Sequence, residues 1–262
     1  MAIDPALIAQ RQLRDYDAIF PGSAFSDPQF SLTAAEAYDV QFRVASLRES
    51  RGESIAGYKV GCLSEAIRKQ LGLHEPVMGH IFASELHRSG DPVSASRFHQ
   101  LAIEGEFAFR IAEDVPGAAW LSAHLDTAIE SVFAVIELHN FVFRAPATTR
   151  AQELIANNGM HAGVVLSDRE TPLGNPDDLL TETISVVRNG RELGTANGAA
   201  LPDGPLGSLL FIARKLDEAG KKLRRGHIVL AGSPLPLYPT EAGDRFDVRC
   251  RRLGAVSLQV LP

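Results

Sequence analysis

The segment LAIEGEFAFRI, residues 101–111, places Glu104 and Glu106 two positions apart inside an alternating apolar run. Successive side chains of a β-strand point to opposite faces, so both carboxylates are expected on one face. Two adjacent carboxylates repel each other unless a cation or a proton lies between them. The spacing therefore favours a site that binds a cation or shares a proton.

A third acid, Glu137, lies in the apolar run VFAVIELHN, residues 132–140. An unpaired charge in such a run would be energetically costly. If this run forms a neighbouring strand, Glu104, Glu106 and Glu137 supply three oxygen ligands to a hard divalent cation, and water or substrate fills the remaining positions. Mg²⁺ or Mn²⁺ fits an all-oxygen site better than Zn²⁺, which favours histidine and cysteine.

A purely structural interpretation exists for the same acids. Glu104 and Glu106 would face solvent on an edge strand, and Glu137 would pair with a buried arginine such as Arg110 or Arg144. Each strand taken alone favours this interpretation. Taken together, the three acids favour the metal site, because a single cation accounts for all of them.

Lys59 lies in the segment GYKVG, at the end of an expected strand and between glycines. A buried ammonium there would anchor an anion or donate a proton, whereas most lysines are merely solvated. His139 follows Glu137 by two residues and is expected on the same face of its strand. We interpret His139 as a packing residue or as a residue that supports a ligand, rather than as a ligand.

Polar residues also precede the expected strand in ELIANNGMHAGVVL, namely Asn157, Asn158 and His161. Asparagines at such positions usually form turns, and their functional alternative is to hold a carboxylate or a metal-bound water. Cys62 follows Gly61 at a strand end. We interpret this cysteine as a small buried hydrophobic residue rather than a nucleophile.

The composition sets broad limits on function. With 262 residues, 45% of them hydrophobic, the chain is long enough for one large or two modest globular domains. Its 26 basic and 32 acidic residues include no basic block, which argues against nucleic acid as a partner. No apolar stretch approaches the roughly 18 residues of a membrane span. Two cysteines without a CxxC pair favour a reducing, cytoplasmic setting.

Several common enzyme signatures are absent from the sequence. It contains no GxSxG, no HExxH, no P-loop and no GxGxxG after a strand, which argues against serine hydrolases, zinc proteases, NTPases and Rossmann dehydrogenases. The first 17 residues predict an amphipathic helix rather than a signal peptide.

The N-terminal part of the chain predicts helices that flank one strand. Residues 1–50 have helical patterning, and the helix over 31–47 begins with Thr33 and Glu36 in capping-box spacing. A short strand ending at Gly61 and a helix that ends near residue 72 follow.

The remainder of the chain predicts mainly strands. They are expected at 77–83, 101–112, 132–140, 162–167, 183–188, 227–231 and 244–261. Helices are expected at 122–132 and 204–220, and the dipeptide Asn189-Gly190 predicts a hairpin turn. No linker interrupts the chain, so a helical region of residues 1–70 is expected to pack on a strand-rich catalytic core of residues 71–262 in a single functional domain.

The order and spacing of these segments resemble a known family, the 2-keto-4-pentenoate hydratase and 2-oxo-3-enedioate decarboxylase branch of the fumarylacetoacetate hydrolase superfamily. The resemblance covers nearly the whole chain and rests on LTAAEAYDVQ, GYKVG, IEGEFAF, VIELHN, ANNGMHAG, GHIVLAGSPLP and AGDRFDVRCRRLGAVSLQV. It implies an α+β fold with a mixed β-roll-like core of the fumarylacetoacetate hydrolase C-terminal domain type, peripheral helices and assembly into a homo-oligomer.

The resemblance also implies a chemistry. Glu104, Glu106 and Glu137 would bind Mg²⁺ or Mn²⁺, which a small 2-oxo acid would chelate through its carboxylate and keto oxygen. The metal would stabilise an enolate, and Lys59 would stabilise it further or move its proton. The predicted residues are Lys59 and His161 for catalysis and Gly61, Asn158 and Ser233 for substrate binding.

The sequence departs from the family pattern at two places. Met78 stands where the family carries an aspartate, and Asn157 replaces another acid. His161 occupies a position where the family commonly has serine. Either His80 or His161 takes over the missing proton transfer, or the chemistry differs, or both histidines merely pack.

Three functions remain open from the sequence. The leading expectation is a metal-dependent hydratase, a lyase that acts on a small 2-hydroxydienoate or 2-oxo-enoic acid as in aromatic compound catabolism. A decarboxylase or an acylpyruvase-type C–C hydrolase is the alternative. A decarboxylase would need a positively charged residue, such as Arg144 or Arg150, to receive the second carboxylate of its substrate. The third is a non-catalytic protein that binds a 2-oxo acid.

Overall fold

The computed structural model describes residues 4–262 and contains two β-sheets flanked by helices. The α-helices of these residues are α1 (Pro5–Asp17), α2 (Ala34–Ser50), α3 (Glu65–Leu71), α4 (Ala118–Ala123), α5 (Leu125–Ala128), α6 (Arg150–Ala156), α7 (Asp178–Thr181) and α8 (Gly204–Glu218). The strands are β1 (Ile55–Gly61), β2 (Val77–Phe82), β3 (Leu86–Arg88), β4 (Pro92–Ser94), β5 (Leu101–Ile111), β6 (Ile129–Asn140), β7 (His161–Leu166), β8 (Thr183–Arg188), β9 (Arg191–Asn197), β10 (Ile228–Leu230), β11 (Tyr238–Pro239), β12 (Arg245–Cys250) and β13 (Gly254–Leu261).

The larger sheet has the strand order β2-β1-β10-β5-β6-β7-β3, and β11 also pairs with β5. Strands β1 and β10 run parallel, as do β3 and β7, while the remaining pairs of this sheet are antiparallel. The smaller sheet has the order β4-β13-β12-β8-β9. These mixed sheets with helices outside them confirm the predicted α+β class.

The two sheets pack closely at the centre of β5. Gly105 lies there between Glu104 and Glu106, on the opposite face of the strand. A Cβ atom at Gly105 would lie 2.9 Å from Val248 Cγ2 and 3.0 Å from Val186 Cγ2, both in the smaller sheet. The glycine therefore permits close packing behind the acids, and the acids point to the other side.

Most of the predicted elements are confirmed near their expected bounds. The capping box is present at α2, because Thr33 Oγ1 accepts from Glu36 N and Glu36 Oε2 accepts from Thr33 N. Asn189 and Gly190 both have positive φ, 52° and 81°, and join β8 to β9. Residues 1–3 of the predicted first helix lie outside the described residues.

Three expectations about elements are wrong. The helix predicted over 122–132 is replaced by α4, α5 and the beginning of β6 at Ile129, because Ile129 pairs with Ile111 of β5. The expected strand at 244–261 is a hairpin of two strands, β12 and β13. A 3-10 segment at Ser23–Ser26 separates α1 from α2, so residues 1–50 are not continuously helical.

The N-terminal region contributes both helices and a strand. Helix α2 packs on α1 and on α6. Strand β1 lies in the larger sheet between β2 and β10, which brings Lys59 into the sheet near β5. Within residues 4–262, no helix is both long enough and apolar enough to cross a membrane.

Candidate functional site

The register of β5 and β6 brings the three acids together. Glu104 pairs directly with Glu137 across the two antiparallel strands, and Glu106 lies one pleat farther along β5. Directly paired side chains in such a ladder have Cβ atoms about 5 Å apart and share a face. Glu106 and Glu137 are both 0% exposed. Because β5 lies between β10 and β6, the interpretation of these acids as solvated groups on an edge strand is wrong.

Glu137 has two direct partners. Its Oε1 atom lies 3.1 Å from Lys59 Nζ and 2.7 Å from His161 Nδ1. The two partners come from β1 and from the start of β7, which both belong to the larger sheet. Lys59 and His161, the two predicted catalytic residues, are thus joined through one carboxylate.

The alternative in which Glu137 pairs with a buried arginine is wrong. Arg110 binds Glu170, with 2.9 Å between Arg110 Nε and Glu170 Oε2. Arg144 Nε donates to the carbonyl oxygen of Pro21 at 2.6 Å. Both guanidinium groups are therefore occupied elsewhere.

His139 lies inside the acidic group. Its Nε2 atom is 3.1 Å from Glu104 Oε2 and 3.4 Å from Glu137 Oε2. One ligand atom from each of Glu104, Glu137 and His139 lies within 4.8 Å of the others, which is a separation that one metal ion could bridge. The interpretation of His139 as a packing or supporting residue underestimated its closeness, although its two-residue spacing from Glu137 was the available signal.

Several buried polar atoms of this group lack a hydrogen-bond partner within residues 4–262. They are Glu106 Oε1, Glu137 Oε2 and both ring nitrogens of His139. The second oxygen of Glu106 accepts from Gly232 N at 2.8 Å, which fixes the carboxylate in place. Buried polar atoms are nearly always satisfied, so the unpartnered oxygens of these two acids and the unpartnered nitrogens of the neighbouring histidine fit a bound divalent cation.

The pKa values of these acids and of His139 also fit a cation site. Burial raises the pKa of Glu106, and the neighbouring Glu137 and Glu104 raise it further. Burial also raises the pKa of Glu137, but Lys59 and His139 outweigh it and hold that pKa well below its usual range. Burial lowers the pKa of His139, yet the adjacent carboxylates raise it to about 9. Protons therefore neutralise part of the acidic charge, and a divalent cation would take their place.

Three glycines surround the side chain of Lys59. A Cβ atom at Gly61 would lie 3.1 Å from Lys59 Nζ, one at Gly79 would lie 3.2 Å from Cγ, and one at Gly159 would lie 3.0 Å from Cε. Burial lowers the pKa of Lys59, but Glu137 and the other two carboxylates raise it above its ordinary value. The lysine is therefore a buried ammonium in a narrow passage.

A cavity of about 830 Å³ opens beside this group. Lys59, Glu104 and His139 line one part of it, and so do Gly61 and Ser233, two of the predicted substrate-binding residues. Ser233 Oγ lies 3.1 Å from the carbonyl oxygen of residue 105 and 2.8 Å from that of residue 235, so the hydroxyl is tied to its loop.

The third predicted substrate-binding residue, Asn158, lies elsewhere. Its side chain accepts from His80 N at 2.7 Å and donates to His80 O at 2.8 Å, so the amide clamps strand β2. Asn158 and His161 line a separate cavity of about 40 Å³ rather than the large one. His161 reaches the acidic group only through Glu137, and its Nε2 atom lies 3.8 Å from Glu85 Oε2. Sequence reasoning missed Glu85, because no local spacing links it to His161.

Met78 and Asn157, which depart from the family pattern, and His80, a candidate replacement for the missing proton transfer, all make packing or hydrogen-bond contacts away from the acids. Met78 is fully buried in β2, and its carbonyl oxygen accepts from Gln41 Nε2 at 2.9 Å. The Asn157 side chain accepts from Gln12 Nε2. The His80 ring packs edge-on against Phe42 with centroids 5.0 Å apart.

The chain is similar to known proteins along almost all of its length. It is 27% identical over 261 residues to the 2-hydroxyhexa-2,4-dienoate hydratase of Comamonas testosteroni, with 98% of each chain covered. It is 30% identical over 223 residues to the 2-keto-4-pentenoate hydratase of Burkholderia vietnamiensis, with 85% of this chain and 84% of that protein covered.

A solved structure shares the whole fold. The 4-oxalocrotonate decarboxylase from Pseudomonas putida G7, complexed with magnesium and adipate, superposes with a TM-score of 0.86 at 26% identity, and covers 98% of this chain and 97% of that one. The family model described as Fumarylacetoacetate (FAA) hydrolase C-terminal matches residues 57–261, which include all three acids and all of the larger sheet except the first two residues of β1. The chain therefore belongs to the fumarylacetoacetate hydrolase C-terminal family.

Proposed function

We propose that this protein is a divalent-metal-dependent hydratase, a lyase that acts on a small 2-hydroxydienoate or 2-oxo-enoic acid. The observation that carries the proposal is the pairing of Glu104 with Glu137 beside Lys59 and His139. Buried atoms of Glu106, Glu137 and His139 have no hydrogen-bond partner there, and Lys59, Glu104 and His139 line a large cavity. The two relatives named as hydratases support the reaction class.

The proposed ligands are Glu104, Glu106 and Glu137, and His139 Nε2 lies close enough to complete or support the set. Mg²⁺ or Mn²⁺ suits these mainly oxygen donors, and the neighbouring decarboxylase structure is complexed with magnesium. When bound, the ion acts as a Lewis acid that favours negative charge on the oxygens of a 2-oxo acid.

The chain's own residues handle charge and protons. The Lys59 ammonium borders the cavity, where it would bind the developing enolate oxygen or return a proton to the enolate carbon. His161 Nδ1 lies 2.7 Å from Glu137 Oε1. His161 is not among the described residues that line the large cavity. We therefore propose that His161 acts through Glu137, by fixing the orientation of that carboxylate.

A decarboxylase is the second candidate, because a protein named 4-oxalocrotonate decarboxylase shares the fold over 98% of this chain. A decarboxylase substrate has a second carboxylate that needs a cationic partner. Neither Arg144 nor Arg150 is among the described residues that line the cavity. This observation favours hydration over decarboxylation. Assembly into a homo-oligomer, a cytoplasmic location and a role in aromatic compound breakdown remain predictions.

The test is a calorimetric titration of metal-stripped protein with Mg²⁺ and then with oxalate, a small mimic of a chelating 2-oxo acid. We expect oxalate to bind only when Mg²⁺ is present, and we expect Glu137→Ala to abolish this binding. Glu130→Ala is the matched control, since Glu130 lies on the same strand and is exposed.

A wild-type protein that binds neither Mg²⁺ nor oxalate would overturn the metal site. Where binding is seen, the products formed from a 2-hydroxydienoate, a 2-oxo-3-enedioate and an acylpyruvate are identified next. A hydrated product supports the hydratase, release of CO₂ supports the decarboxylase, and cleavage into two acids supports the C–C hydrolase. Binding without any turnover supports a non-catalytic 2-oxo-acid-binding protein.

A further inference from the structure

A large part of the wall of the large cavity is apolar. The side chains on it come from helix α3, from the chain after β6 and from the loop after β10. Six of them are Ile67, Leu71, Phe141, Phe143, Leu235 and Leu237. These six side chains gain free energy by leaving water and offer a carboxylate no hydrogen-bond donor, and the neutral polar side chains on the same lining are Ser64, Gln70 and Ser233.

The cavity wall also carries few positive charges. Of the lining residues within 4–262, Lys59 is the single lysine or arginine, and its ammonium lies 3.1 Å from Glu137. The other charged side chains on the wall, apart from His139, are the acids Glu65 and Glu104. A second carboxylate on a bound substrate would therefore meet apolar groups, neutral polar side chains and negative charge, but no cation apart from Lys59 and His139.

The nearby arginines are held outside the cavity. Arg68 donates to the carbonyl oxygen of Leu63. Arg150 stacks on the Phe143 ring, with its guanidinium carbon 5.4 Å from the ring centroid. Phe143 itself lines the cavity, so Arg150 lies behind an aromatic ring rather than at the wall.

The size of the cavity adds a further constraint. Sites for drug-sized ligands have volumes of roughly 300–1,000 Å³, and this one has about 830 Å³. A five-carbon acid would leave much of it empty. Ile67 and Phe141 are 43% and 37% exposed, although both lie on the cavity wall. A substrate with an extended apolar group would cover these two side chains.

Building on the proposed function, we infer that the substrate is a monocarboxylic 2-oxo or 2-hydroxydienoic acid whose far end carries a sizeable apolar group. The carboxylate and keto end lies at Lys59 and the acids, and the apolar group lies along α3 and the loop after β10. Dicarboxylic acids are the excluded class, because no free cation on the described wall receives their second charge.

The test compares saturated 2-oxo acids that bind without reacting, titrated into the Mg²⁺-loaded protein and each referred to oxalate. The series is 2-oxobutanoate, 2-oxopentanoate, 2-oxohexanoate and 2-oxohexanedioate. We expect the affinity to rise about fourfold for each added methylene. We expect 2-oxohexanedioate to bind at least about tenfold more weakly than 2-oxohexanoate, which has the same chain length.

Variants of one wall residue sharpen the test. Ile67→Arg supplies the missing cation, and Ile67→Gln is its neutral polar control. We expect Ile67→Arg alone to raise the affinity for the dioate, relative to oxalate, by about tenfold. In both variants the affinity for the monoacids should increase less with each added methylene than it does in the wild type.

Two outcomes overturn the inference and are distinguishable. If oxalate binds with Mg²⁺ but the dioate binds as tightly as 2-oxohexanoate, the cavity accepts a second charge and the proposed function stands. Loss of that dioate binding in Arg150→Met would then identify Arg150 as the cation that turns inward. If oxalate does not bind at all, the proposed function and this inference fall together.

Discussion

At the scale of single residues, Glu137 organises the site through its charge. A fully buried carboxylate is stable only with compensating partners, and here it has Lys59 and His161 on one oxygen and His139 near the other. Lys59 also balances part of the charge of Glu104 and Glu106, which raise its pKa. The ammonium and the proposed cation therefore compete for the same negative charge.

Lys59→Met distinguishes the role of Lys59 as a counter-ion to the acids from its proposed role in catalysis. Removing the ammonium leaves more negative charge around the metal position, so Mg²⁺ affinity should be retained or increased. Turnover of a 2-hydroxydienoate should fall about 100-fold to 10,000-fold, since a group that stabilises or protonates the enolate is lost. Calorimetry measures the first quantity, and steady-state kcat measures the second.

The control is Lys69→Met, because Lys69 is exposed and pairs only with Glu65 of the same helix in the contacts described. Full turnover by Lys59→Met would show that the lysine is a structural counter-ion and not a catalytic residue.

At the scale of elements, the position of Lys59 depends on the close approach of β1 to β10. These strands run parallel, and Gly57 pairs with Ile228. A Cβ atom at Gly57 would lie 1.8 Å from the Ile228 carbonyl oxygen, which is a backbone atom that has no rotamer to change. Gly57 is therefore required by the pairing that brings β1 beside β10 and Lys59 beside Glu137.

Gly57→Ala should lower the free energy of unfolding by about 3 kcal/mol, because the two strands must move apart. Gly174→Ala is the matched control, since a Cβ atom there would have no neighbour within 4 Å in the described part of the chain. The control should change stability by less than about 1 kcal/mol. Urea unfolding of both variants measures the difference, and equal stabilities would contradict the close approach.

At the scale of the whole molecule, helix α2 is packed on the larger sheet through buried histidine and aromatic rings. The His80 ring lies 5.0 Å from the Phe42 ring of α2 and 5.4 Å from the Tyr58 ring of β1, measured between centroids. Burial lowers the pKa of His80 to about 4. Protonation of this ring would place a charge at the interface between helix and sheet.

The consequence is a loss of stability in acid. In the unfolded chain His80 binds a proton near pH 6.5, whereas the folded protein resists protonation until pH about 4. Stability from this group is complete above pH 6.5 and falls as the pH drops toward 4. Between pH 7.5 and 4.5 the free energy of unfolding should fall by about 2 to 3 kcal/mol from His80 alone.

His80→Phe should remove that share of the pH dependence, as measured by urea unfolding at the two pH values. His74→Gln, a change at an exposed histidine, should leave the pH dependence as in the wild type. An unchanged pH dependence in His80→Phe would show that His80 is not the group that titrates.

Much of the fold and part of the site were predictable from local patterns. The alternation around Glu104 and Glu106, the apolar run around Glu137 and the capping box at Thr33 each depend on residues near in sequence. Strand and helix periods are local properties, so these patterns indicated the faces and the ends correctly. The helix predicted over 122–132 failed for the opposite reason, because pairing of Ile129 with distant Ile111 decided its conformation.

The sequence by itself determined which residue types are available and on which face of their strands they lie: three carboxylates, a lysine between glycines, and the order of segments that marks the family. Only the tertiary structure decided that Glu104 lies opposite Glu137, that His139 and His161 both approach Glu137, and that Asn158 clamps β2 instead of lining the cavity. The physical reason is that register and packing between distant segments set these contacts. The apolar wall that limits the substrate arises in the same way, because α3, the end of β6 and the loop after β10 meet only in the folded chain.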